Sequence, residues 1–407
     1  MQRDGSGWRI NLAVCAFGSF TTLVAMTMLV PLLPDFVRTL GVYSDAEVLR
    51  WSGYAYSATF LTAALTAPLW GALGDRYGRR SMLLRASLGM AVVTPLIGLS
   101  HSVWQLVALR LLTGLMGGYS SGATILVAAQ APEERRGWAL GVLSSGILAG
   151  SVAGPLIGGT LPAMIGTGPT FIASGAAIFV AFLATAAFVR NVPDSGTATG
   201  HAEAYPGRRL PAGVPLLLVT STMLMFALMS AEPIITVYMG ALGGGTRAAT
   251  WAGVAMALSA AGSVAAAPLL GRVTDARGAP TVIAASLGAG ALLLLAQAGA
   301  GAPWALCALR LAQGVALAGL TPAVAAAIRQ HTPSDRVGRV LGLNVSASYI
   351  GQIAGPVLGA EVGGTWGVRA VFVATAAVMT LTLAANLLLQ RRIRAGSSEP
   401  RSPVRHP

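Results

Sequence analysis

The chain says one thing twice. Gly71-Ala-Leu-Gly-Asp75-Arg76-Tyr-Gly78-Arg79-Arg80 returns as Gly271-Arg-Val-Thr-Asp275-Ala-Arg-Gly278. Arg110 returns as Arg310, and Gly150-x-x-x-Gly154-Pro155-x-x-Gly158 returns as Gly351-x-x-x-Gly355-Pro356-x-x-Gly359. The three matches share one offset, drifting by a single residue, so the chain is two copies of one unit.

Both copies are apolar. Of the 407 residues, 54% are hydrophobic and 10% charged, where an ordinary soluble domain carries about 25% charged residues. Most of the surface therefore faces something other than water. The net charge of +13 would suit nucleic acid, but the arginines sit in short clusters between apolar runs, which argues against that partner. Cys15 and Cys307 lie within apolar runs and read as small buried hydrophobes. The four histidines are isolated, so no metal site is expected. There is no phosphate-binding Gly-Lys loop, and Gly243-Gly-Gly245-Thr reads as a plain connection. An enzyme, a resident cofactor and ATP-driven work are not expected.

A membrane-crossing helix needs about 20 apolar residues. Such runs fall at 9–34, 48–73, 81–100, 104–129, 137–159 and 168–190, then at 214–242, 249–271, 280–300, 303–330, 338–361 and 366–390. The expected fold is all-α and polytopic, with twelve spans as two pseudo-symmetric six-helix bundles, 1–190 and 214–390. Residues 191–213 read as a flexible polar linker and 391–407 as a disordered tail. Run 9–34 reads as a first span, not as a cleaved leader. The arginines near residues 76–85, 135–136, 208–209, 272–277, 329–339 and 391–405 all fall on one side if both termini are cytoplasmic. Duplicated halves in a lipid-soluble chain are the pattern of secondary transporters.

The residues also carry a family resemblance. Gly71-x-x-x-Asp75-Arg76-x-Gly78-Arg79-Arg80 resembles the loop 2–3 motif of the major facilitator superfamily, and the likeness runs from about residue 9 to about residue 390. Gly141-x8-Gly150-x3-Gly154-Pro155-x2-Gly158-Gly159 resembles the fifth-helix motif of drug:proton antiporters. Trp51-Ser-Gly, Gly137-Trp-Ala-Leu-Gly and Gly367-Val-Arg-Ala-Val-Phe are similar to the twelve-helix bacterial multidrug-efflux branch. The resemblance implies a monomer in the bacterial inner membrane. It would export small apolar or amphipathic compounds in exchange for protons by alternating access, driven by the proton gradient. Export of one endogenous metabolite or siderophore, uptake by symport, and a non-transporting sensor remain open alternatives. Two departures stand out: Ala279-Pro280 replaces the second arginine pair, and Thr113 stands where the family often has Gln, while Arg310-x-x-Gln313 keeps it.

The motifs have physical readings. Gly146, Gly150, Gly154 and Gly158 form one stripe on a helix, matched by Gly351, Gly355 and Gly359. Stripes of this kind let backbones approach closely in lipid, and Pro155 and Pro356 permit a kink; we expect a bendable contact between the two halves. Gly71, Asp75, Arg76, Gly78, Arg79 and Arg80 are expected to form a cytoplasmic latch holding the outward-facing state. Charges within spans each cost at least ~2.5 kcal/mol at a helix centre, so Arg110, Arg310 and Glu232 point to function. In the family's fold, spans 1, 4, 7 and 10 line the central cavity. Arg310 is therefore expected to approach Glu232, the leading proton carrier, and Arg110 to approach Asp35. Phe20, Met26, Phe226, Met229 and Tyr238 could line an adaptable apolar substrate site, with Asn344, Tyr349 and Gln352 adding polar contacts.

Overall fold

The computed structural model describes residues 7–189, 210–211, 213–334 and 336–397, with the last eight of these as backbone alone. The expected linker falls almost wholly outside them, as do 398–407 of the expected tail; before that, the last helix continues to Ser397. No strand occurs among the described residues. The first copy forms α1 (Gly7–Thr39), α2 (Asp45–Tyr77), α3 (Arg79–Gly98), α4 (Val103–Met116), α5 (Tyr119–Gln130), α6 (Arg136–Ile165) and α7 (Thr167–Phe188). The second forms α8 (Val214–Ser230), α9 (Ile235–Met239), α10 (Ala248–Arg277), α11 (Ala279–Ala298), α12 (Pro303–Leu317), α13 (Leu320–His331), α14 (Val337–Trp366) and α15 (Val368–Ser397).

The duplication is written into the helix ends. Gly78 and Gly278, at φ 85° and 86°, separate α2 from α3 and α10 from α11. Gly166 and Gly367, both at φ 88°, do the same after α6 and α14. A side chain is strained at such φ values, so two turns in each copy of the repeating unit demand glycine.

Three expected spans are broken. Run 104–129 is interrupted at Gly117 and Gly118, the latter at φ 102°. Run 303–330 breaks at Ala318–Gly319. Run 214–242 unwinds into a 3-10 turn at Glu232–Ile234, because Pro233 has no N–H to continue the α-helical ladder. Nine helical stretches among the described residues are long and apolar enough to cross a membrane. One of them, Val214–Arg277, has 64 residues, which at 1.5 Å per residue is ample for two passages of a ~30 Å core. Helices α2 and α14 fall outside that set, diluted by residues such as Ser52, Tyr56, Ser57, Thr59, Asn344, Ser348 and Gln352. They pack on each other instead.

The glycine stripes hold each half together. A Cβ on Gly150 would lie 2.8 Å from Phe20 O, and one on Gly158 would lie 1.9 Å from Met28 O. Gly146 and Gly154 face α1 in the same way, at Ala16 O and Thr27 Oγ1. In the second half Gly351, Gly355 and Gly359 press on Thr222, Phe226 and Ser230 of α8. The expected contact between halves is thus corrected for the glycines, since each stripe is aimed at the first helix of its own bundle, whereas Pro155 and Pro356 of the same motifs do meet the other half.

The halves meet through different glycines. A Cβ on Gly253 of α10 would lie 2.2 Å from Pro155 O, and one on Gly53 of α2 would lie 2.5 Å from Pro356 O. The repeat offset relates these two contacts, so one packing solution is used twice, crosswise. Hydrogen bonds reinforce it. Thr250 donates to Gly159 O at 2.7 Å, Ser57 to Ile353 O at 2.8 Å and Thr236 to Pro31 O at 2.8 Å. Arg50 Nε and Tyr54 OH donate to Glu361 at 3.0 and 2.6 Å. All of these lie toward the arginine-poor ends of the helices. Toward the other end, Gly71, Gly141, Gly271 and Gly342 face open space. Among the described residues, the close glycine contacts and hydrogen bonds between the bundles thus gather toward the arginine-poor end, and these four glycines toward the arginine-rich end have no neighbour across from them.

Because Pro155 O leaves no room for a methyl, Gly253→Ala should loosen the arginine-poor end, whereas Gly141→Ala should not. The check is thiol labelling of Ser57→Cys with Cys15 and Cys307 replaced by alanine. Labelling should rise several-fold with Gly253→Ala and stay unchanged with Gly141→Ala.

Candidate functional site

Glu232 sits where the seventh span unwinds. Its residue opens a 3-10 turn between α8 and α9, and a helical turn's N-terminal N–H groups favour a carboxylate. Arg310, on α12, approaches it: Nη1 is 3.8 Å from Glu232 Oε1. The arginine side chain is 1% exposed and the glutamate 19%. The expected pairing is therefore present, between one almost sealed cation and one carboxylate with an edge toward the open space. Deleting one member of a buried pair strands the other, typically at 3–5 kcal/mol.

The pair does not stand alone. Arg310 Nη1 also lies 3.4 Å from Gln313 Oε1, and Gln297 Nε2 donates to that same oxygen at 3.0 Å. Gln297 is on α11 and fully buried. Arg310 Nε and Nη2 are buried without a partner. Tyr56 of α2 reaches the same segment from the other half, with its hydroxyl pointing to Met229 Sδ at 3.8 Å.

Arg110 does not meet Asp35. Its Nε donates to Ala55 O at 3.2 Å, and Thr59 Oγ1 donates to Arg110 O at 3.0 Å, so α4 is bound to α2. Asp35 lies near the end of α1, with its side chain 57% exposed and 3.9 Å from Arg38. The expectation fails on depth: Arg110 is two turns inside its span, while Asp35 is near the arginine-poor end of α1.

Several other expected residues fall elsewhere. Tyr238 is 1% exposed, donates to Gln297 O at 2.8 Å and packs on Phe372, so it is a packing residue and not a cavity lining. Asn344 accepts from Ser221 at 2.6 Å. Met26 packs against the cluster of Ala25, Met90, Ala91 and Ile178 within the first half. Phe20, Phe226, Met229, Tyr349 and Gln352 are half-buried. Asp75 pairs with Arg79 at 3.0 Å, and Arg80 donates to Ala186 O at 2.7 Å; both contacts stay within the first half.

Sequence reasoning missed Gln297, Tyr56 and a brace at the break of α4 and α5. Arg85 donates to Leu115 O at 3.0 Å and Gly117 O at 2.8 Å, and its guanidinium lies 3.6 Å from the centre of the Trp70 ring. Trp70 Nε1 donates to Leu115 O at 2.9 Å. These donors satisfy carbonyls that the break frees. A lone Gln in the apolar run 280–300 was the available clue to Gln297.

If Glu232 and Arg310 act as a pair, Arg310→Met should lower stability in detergent by about 3–5 kcal/mol. Glu232→Gln combined with Arg310→Met should recover part of that loss. A double-mutant thermal-melting cycle checks it.

Comparison with known proteins places this arrangement. The model described as Major Facilitator Superfamily matches residues 15–261 and 217–406. The chain is 37% identical over 390 residues to a "Multidrug resistance protein MdtG" of Dickeya zeae (strain Ech586), covering 95% of each chain. It is also 37% identical over 392 residues to the protein of that name in Enterobacter lignolyticus (strain SCF1), covering 95% of this chain and 94% of that one. Among solved structures, a bacterial homolog of the human lysosomal transporter Spinster, inward-facing and unoccupied, superposes with a TM-score of 0.76 at 16% identity, covering 96% and 98% of the two chains. The nucleoside transporter NupG does so with a TM-score of 0.77 at 11% identity, covering 94% and 99%. The chain belongs to the Major Facilitator Superfamily, a family of membrane transporters and not of enzymes.

Proposed function

We propose that this protein exports small apolar or amphipathic, drug-like compounds in exchange for protons by alternating access. The observation that carries the reading is the Glu232–Arg310 pair: an ionisable carboxylate at a helix break, beside the joint between two bundles whose close contacts gather toward one end. A charge kept inside a membrane span is costly and marks an ion or proton pathway. The relatives named for multidrug resistance supply the substrate class. In this reading the chain crosses the inner membrane of a bacterium twelve times as a monomer, with both termini and the arginine-rich loops in the cytoplasm. The arginine-rich end is then the one open to the cytoplasm.

Protonation of Glu232 weakens its hold on Arg310, and deprotonation restores it. Substrate enters from the cytoplasm, the halves close over it at that end, and the crosswise Gly53 and Gly253 contacts separate. Asp75 acts in the closed cytoplasmic end. Among the described residues its ion pair is the local one with Arg79, which fits a latch that is released in this conformation.

A growth assay with a panel of toxic lipophilic cations and neutral amphiphiles tests the reading. Cells carrying the protein should tolerate several of these compounds, and Glu232→Gln should remove that tolerance at equal membrane abundance. Tolerance untouched by Glu232→Gln removes that residue from coupling, and tolerance to none of them removes the drug-export reading. Asp75→Asn should lower export several-fold while leaving insertion intact; unchanged export would end the latch role.

A further inference from the structure

The buried amides beside Arg310 are built for more than joining two helices. Gln297 on α11 and Gln313 on α12 are 0% and 1% exposed. A pair that merely tied the helices would exchange two hydrogen bonds. Here one oxygen does all the accepting: Gln313 Oε1 faces Gln297 Nε2 at 3.0 Å and Arg310 Nη1 at 3.4 Å. Gln297 Oε1 and Gln313 Nε2 are left buried without partners. That is an unfavourable use of two amides unless the shared oxygen matters to the arginine.

Arg310 needs it. Its Nε and Nη2 have no acceptor, so Nη1 makes both of the contacts recorded for this guanidinium, to Glu232 at 3.8 Å and to Gln313 at 3.4 Å. When a proton neutralises Glu232, its carbonyl oxygen can still accept but the anionic partner is gone, and Gln313 Oε1 is the acceptor that stays unchanged. A buried guanidinium with no acceptor is strongly disfavoured. The geometry points to Gln313 and Gln297 as positioning residues that give Arg310 a second acceptor, so that Glu232 can lose its charge without stranding the cation. This rests on the proton-coupling reading above.

The first half supplies the contrast. Arg110 occupies the matching place, but Thr113 stands where Gln313 does and donates to Leu109 O. Arg110 is fixed on the main-chain Ala55 O, which never changes charge. The second acceptor is found only where the arginine's first partner can take a proton. The groups that bear on Glu232 are Arg310 from α12 and Tyr56 from α2; Arg110 of α4 lies beyond Tyr56, and Cys307 lies beside Arg310.

The test needs no substrate. The full chain, purified in detergent, is titrated by infrared difference spectroscopy from about pH 4 to about pH 10, a range that brackets a perturbed carboxyl. The protonated-carboxyl band of Glu232 is identified by its disappearance in Glu232→Gln. Without Gln313 Oε1, Arg310 leans wholly on the Glu232 carboxylate, so Gln313→Leu should move the band's midpoint toward acid by about one pH unit, tenfold in proton affinity. Gln297→Leu should move it the same way by less. The double variant should move it no further than Gln313→Leu, because both act through one oxygen. A midpoint that stays put or moves toward alkali, or shifts that add, would overturn the inference while leaving Glu232 as proton carrier. A wild-type protein showing no Glu232 band overturns the coupling reading itself. Should Gln313→Leu not fold, Gln297→Leu decides alone.

Discussion

Everything in this protein depends on backbones approaching closely where there is no water to drive them together. Between helices in lipid, apolar side chains gain little by merely meeting, so association comes from packing and from polar groups that must find one another. The chain answers with missing side chains. Gly146, Gly150, Gly154 and Gly158 let α6 lie on the backbone of α1, and Gly351, Gly355 and Gly359 let α14 lie on α8. Within each bundle these two helices are thereby held backbone to backbone. The joint between bundles is made differently, by Gly53 on the Pro356 carbonyl and Gly253 on the Pro155 carbonyl, with a few hydrogen bonds alongside. Two extensive crosswise seams, α2 on α14 and α6 on α10, therefore carry the joint, with the glycines and hydrogen bonds gathered toward one end of each.

The charges obey the same economy of partners. Arg110 is quiet because a main-chain carbonyl of α2 accepts from it. Arg310 is not quiet: its partner is a side chain that can change charge, and two of its nitrogens have no acceptor. Two copies of one arginine have thus been given opposite tasks by what faces them. Symmetry sets their depth; the neighbouring helices set their chemistry.

Much of this was legible in the residues. The helix ends follow from the apolar runs and from glycines at repeated positions, and the Glu232–Arg310 approach follows from two in-span charges on the spans that the family resemblance assigns to the central cavity. Other features were not. The glycine stripes announce close packing, but periodicity does not say which helix they face, and the intra-bundle answer differs from the expected one. Asp35 looked like a partner for Arg110 on family topology, yet one-dimensional order cannot fix depth at the end of a span containing Pro31 and Pro34. Tyr238 looked like a cavity residue by type and turned out to be locked onto Gln297 O. Gln297 has no periodic companion, so its meaning arises only where α11 meets α12.

The breaks in the helices carry the last asymmetry. Where α4 gives way to α5, Arg85 and Trp70 hold the freed carbonyls of Leu115 and Gly117. Where α12 gives way to α13, the space around Gly319 is filled by the aliphatic side chains of Leu270 and Val282. A hydrogen-bonded brace resists bending more than aliphatic contact does, because each donor lost inside lipid costs several kcal/mol. The first bundle is therefore the stiffer of the two at its central break. The second has the unwound segment at Glu232, the aliphatic-packed break and the arginine with two acceptors. Local rearrangement should concentrate there, with the first bundle serving as the frame against which it moves.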